Sequence, residues 1–295
     1  MKILIAVSVV VGMLLGVSYA RAGTWTTFNY PGATSTYIYD IDGSNLSGVY
    51  ISTSGGIRNF LYNSTSWTTI NKPGAVSTII DGIDGSNLAG YYTDAENYYS
   101  HGFLYNGTSW ATLDMPGSNY TYIRGIDGGN LVGSYKDTSN NTHGFLYDGT
   151  GWTTIDMSGA SATIAYGIDG SNLVGSYQDA SYHNHGFIYD GTSLTALNYP
   201  GANETIIYGI SGNNLVGSYT GSGKTRGFLY DGTSWTALNY PGMSGTKICG
   251  IDGNNLVGSY TDASGSIHGF LYTIPEPATF LLLGLGGLVL RRKRK

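Results

Sequence analysis

The amino-acid sequence predicts an all-β protein, a six-bladed β-propeller of four-stranded antiparallel blades. Three observations carry that prediction. A unit recurs six times, with Trp25, Trp67, Trp110, Trp152, Leu194 and Trp235 standing 42, 43, 42, 42 and 41 residues apart. Each unit holds four short strand-like pieces divided by turn signals. No segment between residues 23 and 272 carries a helical period. Four strands in a unit of that length suit a propeller blade, whereas the coils of a β-solenoid are usually shorter.

Composition agrees with this reading. Of 295 residues, 46 are Gly and 26 are Tyr, and charged residues make up 11%, less than half the share of an ordinary soluble domain. So little charge argues against a charged disordered tail, a coiled coil or a nucleic-acid groove. Residues 23–272 carry seven Lys/Arg against eighteen Asp/Glu, which also disfavours nucleic acid. Cys249 is the single cysteine, so no intramolecular disulfide supports the fold.

The chain opens with Lys2, an apolar stretch from Ile3 to Gly16 and the small-x-small triplet Ala20-Arg21-Ala22. This is the layout of a secretory signal peptide over residues 1–22, with Ala20 and Ala22 marking the cleavage site. The first repeat begins near Gly23 and the last ends near Tyr272, giving a propeller domain over residues 23–272.

Within each unit the first strand ends in Ile-Asp-Gly, at Ile41, Ile83, Ile126, Ile168 and Ile251, with Ile210-Ser211-Gly212 in the fifth copy. Asp-Gly turns suit the tight hairpin that follows. The second strand, for example Asn172–Tyr177, is apolar on both faces, as expected where a sheet is sandwiched between neighbours. The third is Phe-Leu-Tyr or Phe-Ile-Tyr, from Phe60, Phe103, Phe145, Phe187, Phe228 and Phe270. The Trp strand follows it across another tight turn. Cut in this phase, the chain starts with an orphan outer strand, Trp25–Phe28, and lacks one after Phe270–Tyr272. The N-terminal strand is therefore expected to complete the last blade and close the ring, placing Trp25 beside Leu271.

The chain ends in Ile274-Pro275-Glu276-Pro277, an uncharged stretch from Ala278 to Leu290, and Arg291-Arg292-Lys293-Arg294-Lys295. Pro277 suits the first turn of a short apolar helix. At about 1.5 Å per residue that helix falls short of a roughly 30 Å hydrocarbon core. The basic cluster would hold it as a marginal membrane stop, with transient membrane association.

Pro275-Glu276-Pro277, the apolar stretch and the Arg/Lys cluster together resemble the PEP-CTERM sorting signal of Gram-negative bacteria, over residues 273–295. The resemblance implies passage through the export machinery, recognition by an exosortase, and delivery to the cell envelope, outer surface or extracellular matrix. That family is associated with exopolysaccharide producers. The repeat itself, His-Gly-Phe-Leu-Tyr-Asp-Gly-Thr followed by Gly-Ile-Asp-Gly-x-Asn-Leu-Val-Gly-Ser-Tyr, is similar to the extracellular HAF-type repeat. Gly stands here where that family usually has Ala after His. The His is replaced in the first copy by Arg58 and in the fifth by Arg226. This resemblance implies an exported repeat protein and transfers no activity.

Candidate chemistry is sparse. Asp42, Asp84, Asp127, Asp169 and Asp252 lack the full oxygen-ligand loop of a calcium site and are read as turn residues bonding their own backbone. His101, His143, His185 and His268 sit one per blade and are expected to bond within it. Cys249 is expected to be packed, and Tyr135, Tyr177, Tyr219 and Tyr260 to pack between blades. No phosphate loop, nucleophile elbow or dinucleotide fingerprint appears, and no cofactor or metal is expected.

All length variation lies between the conserved-position Tyr and Phe of each unit, at 10, 11, 10, 10, 9 and 10 residues. The loops there hold Arg58, Glu96, Tyr98, Tyr99, Lys136, Tyr182, His183, Lys224 and Arg226. They are predicted to open on the same face as the inter-blade crossovers, where Lys72 and Glu204 sit, and to form an interaction face. The expected function is a non-catalytic binding or structural module, delivered to the surface or matrix, with a polysaccharide or a surface protein as partner. The alternative is a propeller-based glycan hydrolase or lyase. It would need paired carboxylates in one cleft, and Glu96 and Glu204 fall in different units.

Overall fold

A computed structural model describes residues 23–275. The expected signal peptide, with Ala20 and Ala22, lies outside these residues. So does the expected C-terminal helix, together with Glu276, Pro277 and the basic cluster Arg291, Arg292, Lys293, Arg294 and Lys295. Among the described residues no helix is long and apolar enough to cross a membrane.

Strands follow one another in six antiparallel meanders. In the first blade the inner strand Ser35–Asp42 pairs with Asn45–Ile51, which pairs with Ile57–Asn63, which pairs with the short outer strand Trp67–Thr68. The later blades repeat this order from inner strands at Ser77–Asp84, Tyr120–Asp127, Ala162–Asp169, Glu204–Ser211 and Ser244–Asp252. Blades 3 and 4 are also joined by a single parallel bridge, Thr142 to Ala162.

The last blade takes its outer strand from the other end of the domain. Thr24–Thr27 pairs antiparallel with Ile267–Thr273, with Trp25 opposite Tyr272 and Thr26 opposite Leu271. Ring closure through the N-terminal strand is thus as the repeat phase predicts. Closure removes the exposed edge that this strand pair would otherwise present.

The repeated residues explain the blade. Each Phe of the third strand is fully buried, and its ring lies over the Gly of the second strand; a Cβ on Gly175 would sit 2.7 Å from the Phe187 ring. The same Cβ would collide with the Ile164 carbonyl, so this column accepts only Gly. In blades 2 to 6 the Val or Ala beside it faces the other way and packs on the following blade: Ala89 on Ile123 and Phe145, Val132 on Ala165 and Phe187, Val257 on Ile38 and Phe60; blade 1 has Ser47 there. Second strands are therefore apolar on both faces because blades stack on both sides of them.

Crossovers are pinned in the same way at every blade. The buried Thr near the start of each inner strand accepts a hydrogen bond from the backbone N–H six residues earlier, as in Tyr30 to Thr36 (3.0 Å) and Met115 to Thr121 (3.0 Å).

Candidate functional site

Inner strands line the central channel, and each contains a β-bulge at the same place. Pairing skips residues 39, 81, 124, 166, 208 and 249, which occupy the extra position. A bulge re-aims the side chain it carries, and these six line a cavity of about 700 Å³. The column reads Tyr39, Asp81, Arg124, Tyr166, Tyr208 and Cys249. It interrupts an otherwise regular repeat, since the residues before and after it are almost unchanged from blade to blade.

The chemistry of this ring is polar and aromatic. Nη1 of Arg124 donates to Oδ2 of Asp81 at 2.8 Å. The guanidinium also lies 5.1 Å from the Tyr91 ring centre and 5.5 Å from that of Tyr122. Its Nε is buried with no hydrogen-bond partner. Burial pushes the Asp81 carboxyl above the usual carboxylate range, and the Arg124 charge pulls it only part of the way back. Burial works against the Arg124 charge, but Asp81 outweighs it and the guanidinium stays firmly protonated. Tyr166 and Tyr208 meet edge to face at 5.1 Å, and burial raises both phenols. Burial also lifts the Cys249 thiol to about 12, although the residue is half-buried in the cavity lining.

Asp40 stands where the other five blades have Gly. Its carboxylate accepts hydrogen bonds from its neighbour Ile41 N–H (2.9 Å) and from Ile83 N–H of the next blade (3.0 Å). Burial lifts its pKa to about 7 in spite of those two donors.

At the turn end of the channel the repeated aspartates differ from expectation. They do not bond their own turns. Asp42 accepts from Gly85 N–H (2.7 Å), Asp84 from Gly128, Asp127 from Gly170, Asp169 from Gly212 and Asp252 from Gly43 (2.7 Å). Ser211 takes the same role towards Gly253. A six-membered ring of bonds thus stitches every blade to the next. Among the described residues no group of three or more His, Cys, Asp or Glu side chains is placed to hold a metal.

The histidines bond within their blades. His101 spans Asp94 (2.9 Å) and Asp114 (2.7 Å), and His143 spans Asp137 and Asp156. Burial works against the charge on each. The hydrogen bonds each imidazole donates to Asp114 and Asp94, or to Asp156 and Asp137, outweigh it and hold both above the ordinary range. The tyrosines expected between blades do border the preceding blade, Tyr135 and Tyr177 beside the clusters of Ala89 and Val132, Tyr219 and Tyr260 within those of Val174 and Val216, and they also stack within their own blade. Tyr92, Tyr135, Tyr177 and Tyr260 stack on these histidines, while Tyr50 and Tyr219 stack on Tyr30 and Tyr199 at 3.7 Å.

Of the predicted interaction-face residues, Glu96, Tyr98, Tyr99, Tyr182 and His183 lie in loops between second and third strands. Arg58, Lys136, Lys224 and Arg226 fall instead within the strands that flank those loops. Tyr98 and Tyr182 are 67% and 73% exposed and adopt left-handed backbone angles, φ 62° and 64°. Only Tyr99 and Lys136 among the nine are seen to converge, both on Tyr120: ring centres 5.1 Å apart for Tyr99, and the Lys136 ammonium 5.8 Å from the ring. The bulge column was available in the sequence as the residue two before each Ile of the Ile-Asp-Gly run.

The C-terminus carries a sorting signal. Residues 273–295 match the PEP-CTERM protein-sorting motif, which marks an exported protein of the bacterial cell envelope. No match to a curated protein is found. Several solved propellers are similar in fold. A lectin of Aleuria aurantia solved with α-methyl-L-fucoside is 13% identical, covering 85% of this chain and 95% of its own, TM-score 0.52. The lectin SapL1 solved with α-methyl fucoside is 18% identical, covering 83% and 98%, TM-score 0.54. The β-propeller domain of the Trilobed protease from Pyrococcus furiosus is 11% identical, covering 83% and 97%, TM-score 0.51. At these identities the likeness is one of fold.

Proposed function

We propose that this protein is an exported, non-catalytic carbohydrate-binding propeller that holds a saccharide in its central channel. The observation that carries the reading is the bulge column. Where a purely structural repeat would place one residue type, this chain places tyrosines, one ion pair and a cysteine around a cavity of about 700 Å³. Ligand sites are typically concave, with aromatic walls and a few placed polar groups. Tyrosine faces pack on the C–H faces of sugar rings, while a guanidinium–carboxylate pair meets sugar hydroxyls from both donor and acceptor sides. Two lectins share the fold and were solved with fucosides, which supports a saccharide over a peptide by analogy of fold.

The C-terminal signal supports processing by an exosortase-type enzyme, loss of the tail and delivery to an outer surface or exopolysaccharide matrix. The repeat's likeness to the HAF type agrees with export. The hydrolase reading finds two channel carboxyls with raised pKa, Asp40 and Asp81. Asp40, however, is taken by two backbone N–H groups and Asp81 by Arg124, which leaves neither poised to give a proton to a glycosidic oxygen.

A glycan array probed with the purified protein tests the proposal, beside the Arg124→Tyr variant checked for native circular dichroism. Retention on one saccharide class, lost in the variant, is the expected result. A folded protein retained by no saccharide overturns it. New reducing ends in any polysaccharide on the array would replace it with the hydrolase reading.

A further inference from the structure

Four aromatic residues that depart from the repeat are gathered on one wall of the ring. Just before the buried Thr of the inner strand, Tyr120 stands where the other blades have Ser35, Ser77, Ala162, Glu204 and Gly245. Two residues on, Tyr122 stands where three blades have Ile79, Ile164 and Ile206; blade 1 has Tyr37 there without the other three aromatics, and blade 6 has Lys247. On the second strand of blade 2, Tyr91 replaces the Ser of Ser134, Ser176, Ser218 and Ser259. Tyr99, in the longest of the variable loops, completes the group. All four meet at the boundary of blades 2 and 3.

They also form a continuous line. Ring centres are 5.1 Å apart for Tyr99 and Tyr120, 6.4 Å for Tyr120 and Tyr122, and 4.9 Å for Tyr122 and Tyr91. Tyr120 and Tyr122 project from the same side of one strand, and their rings are parallel within 2°. Tyr91 and Arg124 lie at the inner end, on the channel wall. At the outer end a small hollow of about 90 Å³ is lined by Tyr99, His101, Asp114, Asn119 and Thr121. The line therefore starts at the loop face, where the inner strand begins, and descends to the Asp81–Arg124 pair.

We infer that this wall is a track for one linear saccharide chain, which enters from the loop face over Tyr99, Tyr120 and Tyr122 and places its end at Tyr91 and Arg124. The inference rests on the carbohydrate-binding reading above and adds direction, chain length and stoichiometry to it. A line of rings spaced by about one sugar unit suits a polymer of flat-faced rings. A peptide would seek alternating side-chain pockets or an open strand edge, and this wall offers neither. Because the four aromatics occur at one boundary of six, each protein takes one chain. The exposed tyrosines Tyr98 and Tyr182 are not part of the line.

The test uses calorimetry on the full protein with ladders of linear β-glucan, mannan, galactan, uronan and amino-sugar oligosaccharides, from monosaccharide upward. Tyr120→Ser and Tyr122→Ile install the residues that other blades carry at the same places, so the fold is kept. Affinity should rise with chain length in the native protein, with one site per molecule. The double variant should lose the length dependence and bind the longest oligomer about tenfold or more weakly, each ring contributing about three- to tenfold. Tyr182→Asn should leave both unchanged. Saccharide binding whose length dependence survives the double variant overturns the track and leaves the carbohydrate reading standing, as does a stoichiometry near six. Absence of binding to every ladder and to the array overturns both, and so does capture of an extended peptide on the same wall.

Discussion

Arg124 donates to Asp81 at 2.8 Å across the boundary between blades 2 and 3. Each occupies the bulge position of its own inner strand, the position that Tyr39, Tyr166 and Tyr208 fill elsewhere. The pair is thus one replacement made twice: two adjacent members of a tyrosine ring exchanged for opposite charges. Burial raises the Asp81 carboxyl even with the guanidinium beside it, so its charge depends on Arg124.

A double-mutant cycle should expose that dependence. Asp81→Tyr alone leaves Arg124 with only aromatic faces and channel water, and is expected to cost about 2–4 kcal/mol. Arg124→Tyr alone is expected to cost a similar amount. The double variant restores the repeat's own residue at both places and should recover most of the loss. Urea midpoints of the four proteins measure it, and additive single effects would contradict it.

Ring closure is the second point of leverage. Trp25 packs on Tyr240, Phe270 and Tyr272 with ring centres 5.4, 4.9 and 4.5 Å away, and its strand is the only covalent start of the last blade's outer edge. Trp25→Ala is expected to cost about 2–4 kcal/mol. Beyond that cost, it should bare the edge of Ile267–Thr273 to pairing with other chains. Light scattering during thermal unfolding should therefore rise in Trp25→Ala well before it does in Trp152→Ala, which removes an equivalent ring from an interior blade.

The architecture was legible because it is written in invariants. Asp-Gly turns, the buried Phe and the paired Gly repeat with fixed spacing, and the phase of the outer strand follows from counting. Partners across blades were not legible. Asp42 and Gly85 lie 43 residues apart, and only the angle between adjacent sheets brings them to hydrogen-bonding distance. The bulge column was missed for a related reason. Variation in loop length marks Tyr98, Tyr99 and Tyr182, whereas the more telling variation has no length change at all and sits inside a strand. Of it, Cys249 shows in the sequence as a strand position that other copies fill with Tyr, as at Tyr166. Glu96 and Glu204, which fall in different units, say less about the channel than Asp40 and Asp81, which line it.

Tyr98 and Tyr182 hold left-handed backbone angles at loop positions where other blades place Gly55, Asn140 and Gly265. A side chain with Cβ pays about 1–2 kcal/mol for that conformation. Tyr98→Gly and Tyr182→Gly should each stabilise the fold by about 0.5–1 kcal/mol after the greater flexibility of the unfolded chain is allowed for. Chemical denaturation reads the change, and destabilisation by either would mean that the exposed ring makes a contact worth more than the strain.

Cys249 should be silent in the native protein. Its thiol is pushed up to about 12 by burial in the channel wall, so little thiolate exists at neutral pH. Iodoacetamide labelling at pH 8 is expected to be at least tenfold slower in the folded protein than in urea. Equal rates would place the sulfur in an open, polar setting.

Asp40 should make stability fall as pH rises. Its pKa is about 7 in the fold against about 3.9 in the unfolded chain, so between those values the native state binds more protons than the unfolded one. Stability then decreases with pH across that window, levels off above it, and is insensitive to this group below about pH 4. Asp81, also raised by burial, acts with the same sign. His101 and His143, held above their ordinary range by their aspartate partners, add stability at low pH that is lost as pH passes their folded pKa. Asp40→Gly installs the residue of the other five blades and should flatten the decline between about pH 4 and 7, gaining about 1–3 kcal/mol over the native protein at pH 8. Denaturation midpoints measured across that range in both proteins check it, and parallel curves would mean that Asp40 is ionised throughout and stabilises blade 1 against blade 2 by its two backbone bonds alone.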